Sequence, residues 1–124
     1  MRTKEEKAEF YKVLRQMWKT AKEMSFQEGN TVQAIIENHG LEVSVTSYIM
    51  VLNQMKEKNL DGIPYIDMKT FNGWKENGFK VKKGEKSKAY GVAWKVVESK
   101  EDEEDDRVFP KVYHLFHRSQ VEEI

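Results

Sequence analysis

The chain has 124 residues, no cysteine and a formal net charge of zero. The length fits one domain, and the absence of cysteine excludes disulfides, thiolate catalysis and cysteine-ligated zinc. No apolar run approaches the roughly 20 residues of a membrane span, and the charged N-terminus does not resemble a signal peptide. We therefore expect a single cytoplasmic domain over residues 1–124, with no membrane segment.

The first predicted element is an amphipathic helix over residues 4–24. Apolar side chains recur there at spacings of three and four, which places them on one helix face. Thr3 followed by Glu6 predicts a capping box at the start of this helix. Gly29 and Asn30 predict a break in the chain after it.

Two more helices are predicted before the sheet. A short helix is predicted over residues 31–38. A longer one is predicted over residues 43–58, where apolar side chains again follow helical spacing. These three helices make up a helical part over residues 3–60. Farther along, Thr70–Asn77 predicts one or two helical turns that carry Trp74.

The remaining part, residues 61–124, changes to the period of two that is typical of strands. Residues 87–98 and 108–120 predict two strands, which form a hairpin across the acidic connection 99–107. Trp94 is expected in the core. The predicted class is α+β, with three N-terminal helices packed on a small antiparallel sheet that includes this long-looped hairpin.

The zero net charge hides two opposite charge clusters. Between Lys69 and Lys95, eight lysines oppose two glutamates, for a net charge of +6. Between Glu98 and Asp106, one lysine opposes seven acidic residues, for a net charge of −6. Such an asymmetry indicates a charged partner.

The segment Phe79–Tyr90 interleaves lysines with aromatic residues around Gly84. Ammonium groups neutralise phosphates, exposed rings stack on bases for about 1 to 3 kcal/mol each, and glycine permits a tight turn. Lysine is poorly suited to bidentate base recognition, so we expect binding of a single strand with little sequence specificity. The predicted contacts are Lys80, Lys82, Lys83, Gly84, Lys86, Lys88, Trp74, Tyr65, Tyr90 and Arg118.

Each of these features also has a structural interpretation. Lysines near a glycine turn can simply form a soluble hairpin corner, and Trp74 can belong to the core. Arg118, with the neighbouring His117 and Gln120, can either contact nucleic acid or stabilise the fold. His114 and His117 would point to opposite faces of a strand, so we expect no metal site. No catalytic or nucleotide-binding motif is present, and we expect neither a cofactor nor enzymatic activity.

The stretch Thr70–Lys86, with its Trp74 and its Val-Lys-Lys-Gly-Glu-Lys turn, is followed by a Phe-x-x-x-Gln strand ending in Gln120. Over Thr70–Val121 the sequence resembles the N-terminal domain of ArdC-type antirestriction proteins. The resemblance implies an α+β domain that binds single-stranded DNA for a plasmid, phage or conjugative element. By the same resemblance, Lys82, Lys83 and Lys86 would contact phosphates.

Many members of that family add a metalloprotease domain with a His-Glu-x-x-His helix. This chain has no such motif, so we expect no proteolytic activity. A rival interpretation keeps the mobile-element context but assigns contact with a host defence protein. In that case the acidic residues Glu101–Asp106 would mimic nucleic acid.

Overall fold

The computed structural model describes residues 3–97 and 107–124, with side chains described for 3–93 and 110–124. These residues form an α+β structure, which confirms the predicted class. Residues 98–106, which include all but the last residue of the acidic connection 99–107, lie outside the described residues, and so does the side chain of Trp94.

The described elements are three helices, five strands and one 3-10 helix. The helices are α1 (Lys4–Asn38), α2 (Val45–Glu57) and α3 (Phe71–Glu76). The strands are β1 (Met68–Lys69), β2 (Phe79–Val81), β3 (Ala89–Val97), β4 (Arg107–His117) and β5 (Val121–Glu123), and the 3-10 helix is Arg118–Gln120. Among the helices described, none has the length and apolar character needed to cross a lipid bilayer.

The chain divides into two compact units, Met1–Asn59 and Leu60–Ile124. We call them the helical unit and the sheet unit.

In the helical unit, α1 is one continuous helix of 35 residues. Its start is capped by the Thr3 hydroxyl, which accepts a hydrogen bond from the Glu6 amide at 3.1 Å. This bond is one of the two that the predicted capping box requires. The predicted break at Gly29 and Asn30 is wrong, and the short second helix predicted after it is the last part of α1. The buried side chains stay on one face across this point, because Leu14 and Val32 are about five turns of 3.6 residues apart. Burial of that continuous face outweighs the low helix propensity of two residues.

Helix α2 begins after Ser44, whose hydroxyl accepts a hydrogen bond from the Ser47 amide at 3.1 Å. It ends near Asn59, which has a positive φ of 54°. These limits confirm the helix predicted over residues 43–58. The two helices contact each other, for example where the Asn53 amide group lies 3.3 Å from the Met24 sulfur.

The sheet unit contains a three-stranded antiparallel sheet of order β1-β4-β3 and a two-stranded sheet of β2 and β5. Strands β3 and β4 pair from Ala89 opposite Leu115 to Val97 opposite Arg107. This pairing confirms the predicted hairpin. The second strand ends at His117, however, and residues 118–120, which were predicted as its last part, form the 3-10 helix. On its other edge, β4 pairs with the two-residue strand β1.

A buried carboxylate organises the entry to the sheet unit. Asp67 accepts a hydrogen bond from the Ile63 amide at 2.6 Å and forms an ion pair with the Arg118 guanidinium at 3.2 Å. Gly62 has a φ of +111°, and a Cβ at this position would overlap the Asp67 carboxylate. Glycine is therefore required here for its conformation and for space.

Candidate nucleic-acid interface

The lysine-rich segment after β2 forms a tight exposed turn, Lys82–Lys86, which we call the basic turn. The Glu85 amide donates to the Lys82 carbonyl at 3.2 Å, which closes a four-residue β-turn. Gly84, the third residue of this β-turn, has a φ of +87°, as a type II turn requires. No atom lies within 4 Å of a Cβ built on Gly84, so the backbone conformation, not space, calls for glycine.

The basic turn is held against the 3-10 helix by Gln120, whose side chain is only 1% exposed. At the start of the turn, the Lys82 amide donates to the Gln120 carbonyl at 2.9 Å. At its end, the Gln120 side-chain amide donates to the Lys86 carbonyl at 2.6 Å and to the Glu85 carboxylate at 3.1 Å. One buried residue therefore bonds to both ends of the basic turn.

His117 fixes the chain that carries Gln120. Its backbone amide donates to the Gln120 Oε1 at 2.8 Å, and its ring is buried. The ring Nδ1 accepts from the Ser119 amide at 3.1 Å, so Nε2 carries the proton and donates to the Asp61 carbonyl at 2.7 Å. These bonds give His117 and Gln120 structural roles and remove both from the candidate contacts with nucleic acid.

The predicted lysines differ in how free their ammonium groups are. Lys80 pairs with Glu122 at 3.7 Å, and the Lys82 ammonium donates to the Ser119 carbonyl at 3.3 Å. Lys88 is partly buried and has partners of its own. Lys83 and Lys86 are exposed, and within the described part of the chain neither forms an ion pair. The sites most available to a phosphate are therefore Lys83 and Lys86.

Arg118 does not fit its predicted role. Its guanidinium lies 3.2 Å from the Asp67 carboxylate, and its backbone amide donates to the Asp67 carbonyl at 2.8 Å. The Asp67 side chain is only 10% exposed, although that of Arg118 is 64% exposed. Arg118 thus neutralises a carboxylate that burial would otherwise destabilise, and this contact opposes its use on a phosphate.

Trp74 does not fit a stacking role either, because it is only 4% exposed. Its indole N–H donates to the Phe116 carbonyl at 2.8 Å, and its ring packs edge-on against Phe79 at 5.5 Å between centroids. The short helix α3 brings it there, beginning at Thr70, whose hydroxyl caps the Gly73 amide at 3.0 Å. Trp74 is a core residue, which agrees with the structural interpretation of the sequence.

Tyr65 was expected to be exposed, but it is partly buried. Its hydroxyl would lie 3.4 Å from a Cβ on Gly91. The hydroxyl end of the ring therefore packs over Gly91 of strand β3, which has no side chain. Burial raises the pKa of Tyr65 to about 12. Its hydroxyl is therefore poorly hydrated, and Tyr65 is not an open platform for a base.

Tyr90 remains as an aromatic candidate, and the structure adds His114. The two residues lie opposite each other on β3 and β4, with ring centroids 5.3 Å apart and edge-to-face geometry. His114 is exposed, and its Nδ1 lies 3.2 Å from the hydroxyl of Ser87, the residue after Lys86. We call Tyr90 and His114 the aromatic pair. Sequence reasoning missed His114 because the strand register that sets it beside Tyr90 could not be known.

The described residues contain no group of three or more histidine or acidic side chains placed to hold a metal ion. Comparisons with protein-family models, with curated proteins and with solved structures find no match to this chain. The resemblance to ArdC-type proteins therefore depends on the motif residues alone and stays a prediction.

Proposed function

We propose that this protein binds single-stranded DNA with little sequence specificity, through the basic turn and the aromatic pair. The proposal depends mainly on one observation: Lys83 and Lys86 are exposed on a turn of defined conformation and have no carboxylate partner in the described part of the chain. Two such ammonium groups can neutralise adjacent phosphates and release their condensed counterions.

The preference for a single strand follows from the aromatic pair. His114 is exposed and lies within hydrogen-bond distance of Ser87, the residue that follows the basic turn. Tyr90 is partly exposed and packs against His114. Unpaired bases can stack on such rings, whereas the bases of a duplex already stack on one another. Lysine offers a point charge without the planar fork of arginine, so recognition of the backbone dominates over recognition of base edges.

The biological setting of this proposal comes from the resemblance to ArdC-type domains. It suggests that a plasmid, phage or conjugative element uses the protein to protect or transfer its DNA. The lack of cysteine leads us to place this activity in the cytoplasm.

Fluorescence anisotropy with single-stranded and duplex oligonucleotides of equal length tests the proposal. We expect tighter binding of the single strand and a logarithmic salt slope of about −0.7 per phosphate contacted. Replacement of these two lysines together, Lys83→Glu with Lys86→Glu, should weaken binding at least about tenfold and make the slope shallower by about 1.4. The matched control, Lys12→Glu with Lys22→Glu, makes the same charge change at exposed positions of α1 and should have a much smaller effect.

Equal binding by the wild type and the basic-turn variant would reject the proposal. The rival function, contact with a host defence protein through the acidic residues Glu101–Asp106, lies on residues outside the described part of the chain. A protein of that kind would bind its partner without Lys83 and Lys86, and would lose the partner when the acidic residues become amides.

A further inference from the structure

We infer that Gln120 is a positioning residue for DNA binding: it touches no DNA, and it holds Lys83 and Lys86 of the basic turn in the geometry that binds. The inference rests on the proposed function. It assigns a role in that function to a residue that is almost completely buried.

A single residue, Gln120, bonds to both ends of the basic turn. The Gln120 backbone carbonyl accepts from the Lys82 amide at 2.9 Å, and its side chain donates to the Lys86 carbonyl at 2.6 Å. Lys83 lies between these two anchored residues. Because the two anchors belong to one residue, the separation of the turn's ends cannot change without breaking a hydrogen bond of Gln120.

The side chain at position 120 must be an amide to form these bonds. Its oxygen accepts from the His117 backbone amide at 2.8 Å, while its nitrogen donates to the Glu85 carboxylate and the Lys86 carbonyl. A glutamate would keep the acceptor but would place a carboxylate against two other acceptors. A methionine of similar length would make none of the three bonds. The buried polar atoms left unpaired would be costly, and the turn would relax to restore their partners.

Gln120 also bonds to the carboxylate that lies between these lysines in the sequence. Glu85 is the only carboxylate within the basic turn. Its oxygen accepts from the neutral Gln120 amide at 3.1 Å, and no ion pair joins it to Lys83 or Lys86 in the described part of the chain. Gln120 thus gives the carboxylate a partner that carries no positive charge, which leaves both ammonium groups for phosphates.

The experiment measures binding of a single-stranded oligonucleotide by Gln120→Glu and Gln120→Met, at a temperature where circular dichroism shows each variant folded. We expect both to bind about five- to tenfold more weakly than the wild type, with a shallower salt slope because fewer phosphates are held. A residue that only stabilises the fold would leave the slope of the folded protein unchanged. Wild-type affinity and slope in both folded variants would overturn the inference.

A second pair of variants avoids the core altogether, and decides the matter if the Gln120 variants do not fold. Glu85→Gln and Glu85→Ala both remove the same exposed charge, but only the glutamine keeps an oxygen that can accept from Gln120. We expect Glu85→Ala to bind about threefold more weakly than Glu85→Gln. Equal affinity of these two variants would contradict the inference.

Binding of the oligonucleotide by the wild type distinguishes a failure of the proposed function from a failure of the positioning role of Gln120. No binding of the oligonucleotide by the wild type would defeat the proposed function. Binding by the wild type that is insensitive to changes at Gln120 and Glu85 would defeat the positioning role alone.

Discussion

At the scale of single residues, Tyr65 illustrates how burial changes chemistry near the candidate interface. Its backbone adopts a positive φ of 67°, and its carbonyl accepts from the Lys69 ammonium at 3.0 Å. This conformation turns the chain at the entry to the sheet unit and directs the side chain toward Gly91. A tyrosine that sequence reasoning assigned to solvent is therefore part of the packing.

Burial makes the ionisation of Tyr65 a test of this packing. The anion is penalised, so the folded protein holds the phenolic proton more tightly than the unfolded chain, with a pKa of about 12 against 10.0. The stability linked to Tyr65 is complete below pH 10 and is lost as the pH rises through 12. We expect tyrosinate absorbance to show a late step near pH 12 that Tyr65→Phe removes.

The control for this titration is Tyr11→Phe, which removes an exposed tyrosine of α1 and should leave the late step in place. Burial also raises the pKa of Tyr48, so the comparison with Tyr65→Phe is needed to assign the step. A titration curve that Tyr65→Phe does not change in this range would contradict the packing described for Tyr65.

The candidate site was only partly predictable from the sequence, for a physical reason that applies to each residue. The interleaving of lysines and aromatics located the basic turn, because this composition differs from that of the helices. It could not separate Lys83, which forms no ion pair with any residue that the structure describes, from Lys80, which pairs with Glu122 on a neighbouring strand. Nor could the composition show that Trp74 is covered by residues distant in sequence. One of them is Phe116, whose carbonyl accepts a hydrogen bond from the indole N–H of Trp74.

At the scale of elements, α1 shows how local propensity can be outweighed. Gly29 and Asn30 are poor helix formers, yet the helix passes through them because Val32 and Ile36 continue its buried face. The hairpin of β3 and β4 was predictable from the alternation of its strands. Its register was not, because a long connection does not restrict which residues pair, unlike a two-residue turn.

The continuity of α1 predicts a stabilising substitution. Gly29 lies inside the helix, and no atom stands within 4 Å of a Cβ at this position. Gly29→Ala should raise the free energy of unfolding by about 1 kcal/mol, because alanine loses less backbone freedom than glycine in a helix. Urea denaturation followed by circular dichroism measures the change.

The matched control for Gly29→Ala is Gly84→Ala. Gly84 has equally open surroundings but a φ of +87°, so alanine there should lower stability by about 1 kcal/mol. The two substitutions add the same methyl group and should have opposite signs. A loss of stability in Gly29→Ala would indicate that α1 does not continue through this residue in solution.

At the scale of the whole molecule, the distribution of charge matters more than its total. The segment Lys69–Lys95 carries a net charge of +6 and Glu98–Asp106 a net charge of −6. The total of zero therefore conceals two segments of strong and opposite charge. The first segment would attract a polyanion and the second would repel it. Because exposed charges act over roughly a Debye length of about 10 Å at 0.1 M salt, their influence on binding depends on ionic strength.

From these opposite charges we predict that the acidic segment Glu98–Asp106 competes with DNA for the lysines of the basic turn. The test replaces Glu101–Asp106 by the corresponding amides, which removes the charge while keeping the length of the connection between β3 and β4. Affinity for a single strand should rise several-fold at low salt, since repulsion of the phosphates is removed, and the gain should disappear at high salt as the charges are screened. Unchanged affinity at low salt would show that the acidic segment does not act on the basic turn. If the same amide substitutions abolished binding to a defence protein, that result would favour the rival function, in which these residues mimic nucleic acid.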